Sequence, residues 1–80
     1  MTVSEAVVKR IYELCDEHHV TINKISTISG ITQSTISDLV NGVSTTAKVT
    51  TIKKLCDGFE ISVRQFFGSP LFDDLEQEIK

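Results

Sequence analysis

Residues 21–42 read TINKISTISGITQSTISDLVNG, and the fold turns on whether this stretch forms short helices or strands. Ile22, Ile25 and Ser29 share one face at helical spacing, and Ile36, Leu39 and Val40 do the same further on. That period predicts one helix over 22–29 and a second over 33–41. Thr21 and Thr32 stand where N-caps belong, each with a hydroxyl able to accept an amide proton from the first turn. Gly30 suits the left-handed position that closes a helix. Asn41-Gly42 has the composition of a hairpin turn, but the helical period before it makes Gly42 a helix stop. Ser26 is small where the two helices must cross, while Ile25, Ile31, Ile36 and Leu39 fix the second helix against a core.

The flanking segments carry the same period. TVSE at residues 2–5 forms a capping box, Thr2 with Glu5, ahead of Val7, Val8, Ile11, Leu14 and Cys15. This first helix ends in polar residues near His18 and His19, which read as solvated helix-end side chains. Residues 43–48, VSTTAK, read as a loop. Val49, Ile52, Leu55, Cys56 and Phe59 make a fourth amphipathic helix stopping around Gly58, and Ser62 caps a short fifth one whose Phe66 and Phe67 close the core. Ser69 and Pro70 then start a C-terminal acidic amphipathic helix over 69–80, with Leu71, Leu75 and Ile79 four residues apart. No strand pattern competes, and the expected fold is all-α.

Composition bounds the function. Eighty residues make one domain, and 40% apolar content with four Gly and one Pro describes a compact chain. No apolar run could span a bilayer, and the first ten residues lack the layout of a secretory signal, so a cytoplasmic protein is expected. Cys15 and Cys56 fall on apolar stripes and read as buried free thiols. Cys15, His18 and Cys56 are too few for an ordinary zinc site, so neither metal nor cofactor is expected. No nucleophile, base and orienting group occur at a workable spacing, which argues against an enzyme.

Two short helices joined by a glycine turn, the second with a small polar outer face, form a helix-turn-helix. TINKISTISGITQSTISDLVNG followed by TTIKKLCDGFEISVRQFF resembles the Cro/C1-type, or XRE, family of helix-turn-helix regulators. The likeness runs from about Val3 to Gly68, with the motif itself at 21–41. It implies a five-helix, lambda-repressor-like DNA-binding domain over 1–68, carried by a transcriptional regulator that usually works as a dimer. Relatives often carry Gln at position 22, a basic residue at 43 and Pro at 47, where this chain has Ile22, Val43 and Ala47. These departures imply a weaker hold on the DNA backbone.

With Ile36 placed inward and about 100° turned per residue, Ser34, Ser37, Asp38 and Asn41 fall on the outer face of the third helix. Gln33 lies at the end that enters the major groove and is the best base reader, because its amide matches adenine N6 and N7. Ser34, Ser37 and Asp38 complete the base-reading set; Asp38 could accept from cytosine N4 or act as a solvated charge. Thr21, Thr32, Thr35, Asn41, Thr45, Thr46 and Lys48 are the candidates for phosphate, through hydroxyls, amides and one cation.

The overall charge of −3 is unevenly spread. Residues 20–56 hold Lys24, Lys48, Lys53 and Lys54 against Asp38, while 1–19 and 57–80 are both acidic. The positive part bears the motif. Double-stranded DNA and a second copy of the chain are therefore the expected partners, with no membrane and no small-molecule ligand. Leu71, Phe72, Leu75 and Ile79 are the dimerisation candidates, unless the tail folds back on its own first and fifth helices. A protein-interaction module on the same scaffold, of antirepressor or antitoxin type with weak DNA affinity, is the competing function.

Overall fold

The computed structural model describes residues 1–42 and 48–79, and every regular element among them is helical. In chain order these are α1 (Val3–Glu17), α2 (Ile22–Ser29), α3 (Gln33–Val40), α4 (Val49–Phe59) and α5 (Val63–Phe66), followed by one 3₁₀ turn, Pro70–Phe72. The architecture is the expected five-helix one. Of the segment 43–48 expected as a loop, residues 43–47 lie outside the described residues.

Each helix begins where a short hydroxyl side chain can serve an orphan amide. Thr2 caps α1 and forms the full box with Glu5, whose carboxylate accepts from the Thr2 amide at 2.9 Å. These hydrogen bonds hold the Glu5 carboxyl below its ordinary pKa. Thr21, Thr32 and Ser62 cap α2, α3 and α5 in turn, Ser62 with a full box to Gln65. Only α4 departs: Lys48 stands at its N-cap and makes no side-chain cap.

The ends of α1, α2 and α4 share one geometry. His19, Gly30 and Glu60 take positive φ of 55°, 72° and 60°. That turn lets the next amide reach back across the last helical turn, Val20 to the Cys15 carbonyl at 3.0 Å, Ile31 to Ser26 at 2.9 Å and Ile61 to Cys56 at 2.9 Å. The residue so placed is apolar in all three cases and packs on the core, as Schellman closures require.

Around this frame the core gathers Val7, Ile11 and Leu14 of α1, Ile25 of α2, Ile36 and Leu39 of α3, Ile52, Leu55 and Phe59 of α4, and Phe66 of α5. Cys15 and Cys56 are buried free thiols, and burial raises both pKa values, as expected for inert packing residues. Among the described residues no cluster of His, Cys, Asp or Glu is placed to hold a metal ion. Nor is any helix there long and apolar enough to cross a membrane.

Phe66 closes the core as expected, but Phe67 is 40% exposed and packs only at its edge. Three further local expectations need correction. Val49 was assigned to the apolar stripe of α4 but is 75% exposed, because it lies at the first turn of the helix, beyond the reach of the core. Gly58 does not stop α4, which continues to Phe59 and ends at left-handed Glu60. The glycine serves packing instead: a Cβ there would stand 2.1 Å from Ser29 Oγ, so α2 and α4 could not approach as they do.

The third correction concerns the tail. The short C-terminal helix is one 3₁₀ turn, capped by Ser69, and residues 75–79 carry no helical structure. A continued helix would set Asp73 against Glu76 and Asp74 against Glu78 one turn apart, with Lys80 as the sole cation of the segment to offset four acids. The expected Leu71–Leu75–Ile79 stripe is therefore not assembled on one helix. Phe72 instead meets the Phe66 and Phe67 rings at centroid distances of 6.1 and 4.9 Å, and the Glu76 amide donates to the Met1 carbonyl. The tail up to Glu76 folds back on its own chain.

His19 and Glu60 adopt a backbone conformation that costs a side-chain-bearing residue about 1 kcal/mol or more. Glycine avoids that strain but has a more flexible unfolded chain. His19→Gly and Glu60→Gly should each raise unfolding free energy by roughly 0.5–1 kcal/mol in urea titrations; unchanged midpoints would show that the strain is already relieved.

Candidate nucleic-acid interface

The turn between α2 and α3 sets the site. Gly30 reverses the chain in its left-handed conformation, and Ile31 drops into the core at 9% exposure. Ile36 and Leu39, at 1% and 4%, then hold the inner face of α3. With those positions fixed, Gln33, Ser34, Thr35, Ser37, Asp38 and Asn41 are all exposed. The proposed base-reading residues thus share the solvent side of one rigidly seated helix.

Much of this polar face is already organised. Thr32 Oγ1 accepts from the Thr35 amide at 3.2 Å and donates to Thr35 Oγ1 at 2.8 Å. Asn41 Nδ2 donates to Ser37 Oγ at 3.0 Å. Thr21 is engaged as the α2 cap, accepting from the Lys24 amide at 3.0 Å. Thr45 and Thr46 lie outside the described residues, as do Val43 and Ala47.

Beside α3 the surface sinks into an open depression. Thr32, Thr35 and Asp38 form one wall, and Lys48, Thr50, Thr51 and Lys54 of α4 form the other. Thr50, Thr51 and Lys54 were not among the residues singled out for a site. The signal was present in the sequence, since all three lie on the polar side of α4 opposite Ile52, Leu55 and Cys56. Nothing local, however, told which neighbour that polar side would meet. Lys53, one of the four lysines of the positive segment, is ion-paired with Asp57 on its own helix. Lys48 and Lys54 are the cations that line the depression itself.

The helix-turn-helix family model matches residues 11–66, more than half of the chain. The chain belongs to the Cro/C1-type helix-turn-helix family. Among solved structures, that of prophage Lp1 protein 11 superposes with a TM-score of 0.83 at 35% sequence identity, over 94% of this chain and 99% of that one. None of the curated proteins matches the chain. Family membership makes this a DNA-binding regulator of the XRE type, a non-enzymatic class. It also agrees with the helix order, the glycine turn and the polar outer face of α3.

Thr32 both caps α3 and anchors the hydroxyl chain to Thr35. Thr32→Ala should lower unfolding free energy by about 1 kcal/mol, as loss of a helix N-cap does. Thr32→Ser should restore most of it; equal losses for both would assign the effect to the threonine methyl rather than the cap.

Proposed function

We propose that the protein is a sequence-specific transcriptional repressor that inserts the N-terminal half of α3 into the DNA major groove, in the cytoplasm and as a homodimer. The supporting observation is the exposed row Gln33, Ser34, Ser37 and Asp38 on a helix whose opposite side is fully committed to the core. Gln33 reads a base, with adenine the best match to its amide. Ser34, Ser37 and Asp38 read or filter neighbouring pairs. The depression beside α3 takes the sugar–phosphate strand, with Thr35, Thr50, Lys48 and Lys54 as its donors, the Thr32 hydroxyl being engaged by Thr35.

The charge distribution fits a regulator that gains specificity from base contacts and little affinity from bulk electrostatics. The two cations that line the depression, Lys48 and Lys54, correspond to a slope of log affinity against log salt of roughly −2 per protomer. Selection of bound DNA from a random pool should yield a two-fold symmetric site. Gln33→Ala should lose roughly 1–3 kcal/mol of discrimination at one base pair of each half-site. Lys54→Ala should weaken all sequences alike and flatten the salt slope by about 1. Failure to enrich any sequence would overturn the proposal.

Dimerisation follows from the size of the site, because a lone helix-turn-helix reads a half-site poorly and two-fold dimers place two readers one DNA turn apart. Phe67 and Ile79 are exposed and Leu71, Phe72 and Leu75 only half-buried, which leaves apolar side chains open to a second copy. Ile79→Asp and Leu75→Asp should halve the mass in light scattering while leaving the helical circular dichroism intact; an unchanged mass would place the dimer contact elsewhere.

A further inference from the structure

We propose that Asn41 is a positioning residue that fixes Ser37 as a hydrogen-bond donor toward the DNA, so that α3 selects an acceptor-bearing base edge at that pair. The inference rests on the major-groove reading of α3 given above. It also reassigns Asn41, whose residue type alone suggested a phosphate contact.

Serine and threonine hydroxyls inside a helix commonly return their proton to a carbonyl one turn back. This chain shows that behaviour twice in α2: Ser26 Oγ donates to the Ile22 carbonyl at 2.9 Å, and Thr27 Oγ1 donates to the Asn23 carbonyl at 3.0 Å. Ser37 is organised differently. Its oxygen accepts from Asn41 Nδ2 at 3.0 Å, on the side toward the C-terminal end of α3. An amide N–H can only donate, so the contact takes up a lone pair of Ser37 and leaves its proton free. The Ser37 proton is thereby left for an acceptor other than Asn41, on an exposed residue of the helix that would enter the groove.

A free serine hydroxyl discriminates weakly, because it turns to suit either donor or acceptor. A hydroxyl held by Asn41 has much of that freedom removed. As a donor it matches guanine N7 and O6, adenine N7 or thymine O4, and it is mismatched to the exocyclic amine of cytosine. Asp38, the next residue, offers only acceptors when ionised. The outer face of α3 thus presents a donor and an acceptor in succession, which is a directional pattern that two unconstrained side chains would not have. Asn41 itself sits at the C-cap of α3, with its backbone amide bonded to the Ser37 carbonyl, so its side chain is fixed by the same turn that it helps to organise.

The experiment is selection of bound DNA from a random pool with the full chain, in parallel for wild type, S37A, N41A, N41D and the S37A/N41A double variant, with thermal melts of each. At the pair read by Ser37, wild type should favour one acceptor-bearing base. N41A should cut that preference about 2- to 10-fold, the range of one neutral hydrogen bond, while other positions keep theirs and the melt is unchanged. N41A should change nothing further at that pair once S37A is present. N41D replaces the amide donor by a carboxylate that only accepts, so the Ser37 proton is drawn back. The preference should then move toward a base with an exocyclic amine, whatever happens to total affinity. A uniform loss of binding in N41A with every base preference intact would make Asn41 a phosphate contact and overturn the inference while leaving the DNA-reading proposal standing. Additive losses in the double variant would overturn it likewise. Failure of wild type to enrich any sequence would overturn both.

Discussion

The geometry of the protein depends on one backbone conformation, the left-handed residue at Gly30. With φ of 72° the chain reverses within a single residue, so the Ile31 amide reaches the Ser26 carbonyl and the Ile31 side chain turns inward. The crossing angle of α2 and α3 is thereby set locally, before any distant contact is made. Everything that defines the outer face of α3 follows from it. Once Ile31, Ile36 and Leu39 occupy the core, Gln33, Ser34, Ser37 and Asp38 have no orientation open to them except outward.

The remaining helices hold that unit rather than shape it. α4 lies close along α2 because Gly58 presents only hydrogen to Ser29, whose buried hydroxyl has no hydrogen-bond partner among the described residues. Such an atom carries a desolvation cost, and its retention at a contact this tight shows how little room the crossing leaves. At the far side Arg10 of α1 ties down α5: its Nε donates to the Phe66 carbonyl at 2.7 Å and its Nη2 to the Gln65 carbonyl at 2.8 Å, while Nη1 pairs with Glu13. One guanidinium thus satisfies the last carbonyls of α5, a helix too short to persist without tertiary support. The same clamp seats Phe66 in the core and positions Phe67 and Phe72 at its edge.

How legible these features were in the sequence depended on the range of the interaction. The caps at Thr2, Thr21, Thr32 and Ser62 and the bounds of α2 were readable because a cap is decided within four residues. The stop after α4 was not, since glycine is the usual left-handed residue and Gly58 lies near the right place. Only the approach of Ser29 reveals that this glycine is wanted for packing, leaving Glu60 to take the strained position. Val49 misled for a related reason: helical period assigns a face, but it does not tell how far along the helix the core extends. The tail showed a stripe at perfect spacing, yet its surrounding acids outweighed the few apolar contacts available. Thr50, Thr51 and Lys54 went unnoticed as site residues because their significance lies in facing α3, a tertiary fact.

These same particulars bear on why a chain of net negative charge can present a DNA-binding fold. The acids are concentrated in α1, at the end of α4 and in the tail, whereas α3 contributes a single one, Asp38. Lys53, moreover, is tied to Asp57, so among the described residues few cations are left beside the outer face of α3. A face of that kind cannot hold DNA by counterion release on the scale of a basic repressor. Under the proposed reading its selectivity comes from the orientation of short polar groups on α3, and the Asn41–Ser37 pair is one such orientation. Long basic side chains would bring more attraction but also more freedom to settle on any sequence. Short hydroxyls fixed by their own helix sacrifice reach for direction, which is the more useful property where the electrostatic pull is weak.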